Sequence, residues 1–140
     1  MRAEPSALIE IEERCDAIEE CYEFMLAYAG KGLATDEGSQ VRYHLERAAH
    51  AIQQLSERFA NIVESARIEP AAKYHAFFVV LERDARDSLA AIELVLAQPA
   101  ISSQLIDNLN ASMHLRALLT DIFLIDGALS ERWRADPARS

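Results

Sequence analysis

Residues 115–129 read L-R-A-L-L-T-D-I-F-L-I-D-G-A-L. Eight of these fifteen residues are Leu, Ile or Phe, and on a helical wheel they fall on every side. The outer helix of a small bundle buries one apolar stripe and leaves the rest of its surface polar. A helix that is apolar all round needs cover on more than one face, from its own chain and from a second copy.

Upstream of this segment the apolar residues keep a helical period. Leu8, Ile11, Cys15, Ile18, Tyr22, Met25 and Ala29 recur in steps of three and four, which predicts a first helix over 6–29. Gly30-Lys31-Gly32 stops it, and no strand or GxxxxGK[ST] pattern supports a phosphate loop there. Thr35 or Ser39 caps a second helix whose stripe runs from Val41 to Ile62, ending near Ala66. Pro70 opens a third helix over 70–97, with Phe78, Leu81, Ala85, Leu89 and Ile92 inward. Gln98-Pro99 breaks the chain before a fourth helix over 100–129, whose two half-stripes are offset and predict a kink near Ser112. The expected fold is all-α: an antiparallel up-down-up-down four-helix bundle with long helices. Residues 1–130 form its single domain and 131–140 a flexible C-terminal tail, with Trp133 the residue there that could dock it.

Composition narrows the function. The chain has 140 residues, four Gly and four Pro, and 26% charged residues, which excludes disorder and an all-β fold rich in tight turns. Its net charge is −9, and residues 1–29 carry eight acids against Arg2 and Arg14. With no basic patch, nucleic acid is not an expected partner. No apolar run approaches the roughly 20 residues of a membrane span. No apolar signal segment follows the N-terminus, so a cytoplasmic location is expected. Cys15 and Cys21 are badly placed for a disulfide on one helix; both are expected as reduced thiols, Cys15 in the core.

A tight turn at Pro99 sets an antiparallel register that pairs Glu82 with Arg116 and levels Lys73 with Asp126. Glu82 and Arg116 each flank an apolar stripe, so a salt bridge between them is expected. The same register places the apolar run 77–81 beside 118–125. Phe77, Val80, Leu118, Leu124 and Ile125 are then the outward residues of a shared patch, which predicts a homodimer through the third and fourth helices.

Specific chemistries find little support. A di-iron carboxylate bundle needs paired Glu-x-x-His motifs, and only Glu46-x-x-x-His50 comes near. The all-α nucleotide pyrophosphohydrolase pattern is half met by Glu20-x-x-Glu23, with no Glu-x-x-Asp downstream. Glu12, Asp16, Glu19 and Glu23 form a carboxylate row that reads as a solvated face, or as a site for cations or a basic partner. No metal, no cofactor and no catalytic set is expected. The leading expectation is a non-catalytic adaptor or regulatory bundle acting by protein–protein association. The second is a bundle holding a small molecule or cofactor through Tyr22, His75, Glu82 and Arg116.

Overall fold

The computed structural model of the chain describes residues 5–135, and side chains as far as Arg132. Among them are six helices and no strand: α1 (Pro5–Ala29), α2 (Val41–Ile52), α3 (Leu55–Ser65), α4 (Ala71–Leu96), α5 (Ser103–Ala111) and α6 (His114–Ala135). The all-α class holds, and no helix is long and apolar enough to cross a membrane. Two of the four long helices expected from the heptad pattern are broken instead. Residues 131–135, expected in a tail, continue α6. Trp133's side chain and residues 136–140 lie outside the described residues.

The break between α2 and α3 has no Gly or Pro. Gln53 turns extended and Gln54 adopts the left-handed region at φ 62°. The carbonyls freed at the end of α2 find a partner on α1. Arg14 Nη1 donates to the carbonyl oxygens of Ala51 at 3.1 Å and Gln53 at 2.8 Å, with His50 at 3.4 Å. A cation at a helix C-terminus also meets the negative end of the helix dipole. α3 closes with a second left-handed residue, Arg67, whose N–H bonds back to Glu64 while Ile68 N–H reaches Val63. The kink expected near Ser112 is a full break, with Met113 at φ 64°. The chain bends at Pro99 and Ala100 and is extended at Ser102, so α5 begins at Ser103 with Ser102 Oγ accepting from Leu105 N–H at 3.0 Å.

That connection is held by a polar clasp at one end of the molecule. Tyr28 Oη donates to the Ile101 carbonyl at 2.6 Å, and Ser103 Oγ donates to the Tyr28 carbonyl at 2.7 Å. Asp36 accepts from Ile101 N–H at 2.9 Å and from Arg42 Nε at 3.0 Å. The Ile101 N–H and then Arg42 hold the Asp36 carboxyl below its ordinary value. Arg42 continues to the carbonyls of Leu96 at 2.9 Å and Gln98 at 2.8 Å. The α1–α2 and α4–α5 connections are thereby tied to each other.

α1 and α4 each pack against α2, α3, α5 and α6 around one apolar core. On α1, Ile11, Ile18 and Met25 are buried as expected, but Ala17, Cys21 and Tyr28 complete the core face. Leu8, Cys15 and Tyr22 are only half-buried. The helix is rolled towards α2, so Cys21 rather than Cys15 is the core thiol.

The expected register between the third and fourth helices does not form. Asp84 meets Asp121, where a turn at Pro99 would bring it to His114, so α6 is slid by about two helical turns. The separate helix α5 and its two joints take up that length. Glu82 accordingly turns to α3, accepting from Ser56 Oγ at 2.9 Å with Arg86 at 3.7 Å, while Arg116 is exposed. No Glu82–Arg116 pair exists among the described residues.

Two stability measurements check these ties. Arg14→Met leaves carbonyls of α2 without their charged donor and should cost about 2 kcal/mol in urea unfolding. An unchanged midpoint would show that the joint stands without it. For Asp36, a carboxyl lowered in the folded state stabilises above its unfolded value, near 3.8, and loses that contribution as pH falls. Asp36→Asn should therefore be less stable than the parent at pH 7, with the gap closing in acid below pH 4. A gap independent of pH would mean that the carboxylate charge is not what the clasp uses.

Candidate functional site

The roll of α1 towards α2 leaves its other flank short of α6. Between them lies an open groove of about 470 Å³. Ile62 and Phe59 of α3 form its floor, Leu8, Ile11 and Cys15 of α1 one wall, and Ile122, Phe123 and Leu129 of α6 the other. Phe123 is 56% exposed and stands at the lip, whereas Ile122 and Leu129 belong to the core. Among the described residues the polar lining is of one kind. Glu12, Asp16 and Glu19 line the α1 side, Asp126 lines the α6 side, and no Lys, Arg or His is among the lining residues.

These carboxylates sit in one another's field. Glu19 has its pKa raised, first by burial and then by Asp16, Glu23 and Asp126. The Cys15 thiol is pushed up to about 12, by burial first and then by Asp126, Glu19, Asp16 and Glu12. A thiol held protonated in this way is a poor nucleophile. Cys21, deep in the core, is likewise pushed up to about 12 by burial alone. Among the described residues no group of three or more His, Cys, Asp or Glu is placed to hold a metal ion. What the groove can do is accept apolar side chains on its floor and attract positive charge to its lips.

The residues singled out from sequence are distributed elsewhere. Tyr22 is half-buried against the core on α1. His75 stands edge-on to Phe78 with Nε2 3.8 Å from Glu64, Glu82 bonds Ser56, and Arg116 is exposed. No described contact joins any two of the four. Of the expected dimer patch, Leu118 and Ile125 are 0% and 2% exposed and form part of this chain's own core. Their outward placement came from allowing that helix a single inward stripe, whereas α6 buries Leu118 and Ile125 and leaves Phe123 exposed. Val80 and Leu124 are exposed, at 44% and 61%, and Phe77 is half-buried. The groove itself had a signal in the sequence: the carboxylate row of Glu12, Asp16 and Glu19 beside the apolar residues Leu8 and Cys15. Phe123, grouped there with the core stripe, is the residue it missed.

A second acidic feature lies between α4 and α6. Asp121 is raised to about 7, first by burial, then by its hydrogen bond to Asp84 and by that residue's charge. One Asp121 oxygen is buried without any donor from the protein, and a proton shared with Asp84 would stabilise the pair. Comparison with known proteins finds no matching family model, no similar curated sequence and no similar solved structure. The site is therefore read from its geometry.

The Asp84–Asp121 pair has a pH signature. An acid whose folded pKa is raised stabilises the fold fully below its unfolded value near 3.8, and that contribution is lost as pH rises to about 7. Asp121→Asn should remove this decline, so that its stability relative to the parent grows from pH 4 to pH 8 in urea unfolding. Parallel pH profiles for the two proteins would refute the shared proton.

Proposed function

We propose that the protein works without catalysis, through protein–protein association, and that the groove between α1 and α6 is the associating surface. The observation that supports this reading is an open groove whose lip carries the exposed Phe123 beside the half-buried Leu8 and Cys15. Ile11, Phe59, Ile62 and Ile122 are core residues that also line an outer cleft. An apolar segment of a partner laid along it would cover Phe123, Leu8 and Cys15, the apolar side chains of the groove that this chain leaves partly in water. On this reading the helices form an up-down-up-down bundle of four rods, with α2–α3 and α5–α6 as two jointed rods. The joints fix α6 at the height where its Phe123 faces α1.

Self-association is a second reading, favoured by the exposed Val79, Val80 and Leu124 on α4 and α6. A homodimer through that face loses Leu118 and Ile125 from the expected patch, which leaves it smaller. The two readings separate by site-specific crosslinking. A photo-crosslinking side chain placed at position 123 should capture discrete protein partners in the cells that make this protein. The same group at position 94, an exposed leucine of α4, should not. Equal capture from both positions would refute the groove. Capture of a second copy from position 124 alone, with loss of the dimer in Leu124→Asp by native mass spectrometry, would replace it with the homodimer.

A further inference from the structure

We infer that the occupant of the groove is a cationic amphipathic helix of about three turns, supplied by another protein. This rests on the association reading above and names its partner class. Three features of the groove select that occupant.

The first is length. On α1 the lining runs from Leu8 to Glu19, which at 1.5 Å per residue is roughly 16 Å, or three turns of a facing helix. The second is the spacing of the charges. Glu12, Asp16 and Glu19 step along α1 by four and three residues, so they form one lip, and Asp126 stands on the other. A helix lying between the lips carries its own side chains with the same period. Its Leu, Ile or Phe side chains at i, i+3 or i+4, and i+7 come against Phe123, Leu8 and Cys15. Its Lys or Arg on the flanks meet the carboxylates.

The third feature is the sign of the charge. None of these four carboxylates takes part in an ion pair among the described residues, although Glu10 and Glu20 on the same helix pair with arginines. Among the described residues only Asp16 of the four feels a nearby cation, Arg47, and the Glu19 carboxyl is raised by burial first and then by Asp16, Glu23 and Asp126. A second copy, at net charge −9, brings more of the same sign, and an anionic lipid surface or a phosphate backbone does likewise. An extended segment would add to a sheet edge, and no strand exists among the described residues to offer one. A helix with a basic flank is the occupant that answers both the floor and the lips.

The test is selection of a library of randomised 14-residue peptides on the full chain, followed by affinity measurements on the enriched sequences. The expected winners carry helically spaced apolar residues with Lys or Arg on the flanks. Their binding should weaken about tenfold on Phe123→Gln and about threefold on each of Glu12→Gln and Asp16→Asn. It should weaken again as salt is raised, because the Debye length falls from about 10 Å at 0.1 M to about 3 Å at 1 M. Glu46→Gln with Glu57→Gln, both exposed and away from the groove, should leave it unchanged. A loss as large from that control pair would mean general charge attraction and would overturn the proposal. Neutral or acidic winners that still depend on Phe123 would overturn the cationic partner and leave the association reading standing. Winners without helical spacing, or a small cationic amphiphile that displaces them and binds as tightly alone, would overturn the helix. If no enriched peptide depends on Phe123, the groove is not a binding surface and both readings fail.

Discussion

The arrangement of the whole chain depends on one guanidinium. Arg14 projects from the middle of α1 into the place where α2 ends, and its Nη1 gathers the carbonyls of Ala51 and Gln53, with His50 close by. The Ala51 carbonyl, partly buried where the chain turns towards Gln54, would otherwise lose its donor, and a carbonyl left unpaired out of water is costly. The bond therefore allows α2 and α3 to be two helices, and it also pulls α1 towards α2. Glu10 with Arg58 and Glu20 with Arg47 add ties on the same flank. The roll follows from these contacts together with the small side chain of Ala17, which is buried where α1 meets its neighbours.

At the other end of α1 the ties run in another direction. Tyr28 and Ser103 bind α1 to the start of α5, and Asn110 Nδ2 donates to the Met25 carbonyl at 3.3 Å. Along residues 8–19 no described hydrogen bond links α1 to α6. α1 is thus clamped to α5 near its C-terminal end and to α2 and α3 nearer its N-terminal end. The cleft opens where the second clamp draws it away from α6. Nothing in the cleft needs a special loop or an unusual backbone; it is the consequence of a helix held at two points that do not lie on one face.

Much of this was legible in the sequence and some was not, for identifiable reasons. The helices themselves follow from apolar residues in steps of three and four, and the connections from Gly30, Gly32, Pro70 and Pro99. The joint at Gln54, like the αL closure of α3 at Arg67, carried no such mark, because the residues in the left-handed region are not Gly, and the joint at Met113 was marked only by the offset of two half-stripes, which predicts a kink rather than a break. A non-Gly residue there costs roughly 1–2 kcal/mol. Long-range bonds offset that cost at Gln54, and a local one at Arg67, and neither kind is visible along one helix. The missed joints propagated. With α5 taken as the start of one rod, the register slid and Glu82 was given to Arg116; Leu118 and Ile125 were turned outward for a separate reason, that only one stripe of that helix was allowed to face the core. The acidic row on α1 was read correctly as a row, because i, i+4 and i+7 need only one helix. What faces that row depended on the roll, which is set by Arg14 reaching a neighbour some forty positions away.

The charges that line the cleft also bear on why it stays open. Drawing α6 onto α1 would bury the flanks of Leu8, Cys15 and Phe123, at about 25 cal/mol per Å² of apolar surface removed from water. The same movement would push Asp126 towards Glu12, Asp16 and Glu19, and its field already reaches Cys15 and Glu19. Unit charges 4 Å apart interact with about 1 kcal/mol even in bulk water, and with several times that as water is squeezed out. Three acids facing one make closure more costly the further it proceeds, while the apolar gain is limited by how little surface remains to cover. A cleft closed by its own helices would therefore need its lips neutralised first. A partner that brings positive charge with its apolar residues meets no such barrier: it covers the floor and cancels the repulsion in one step.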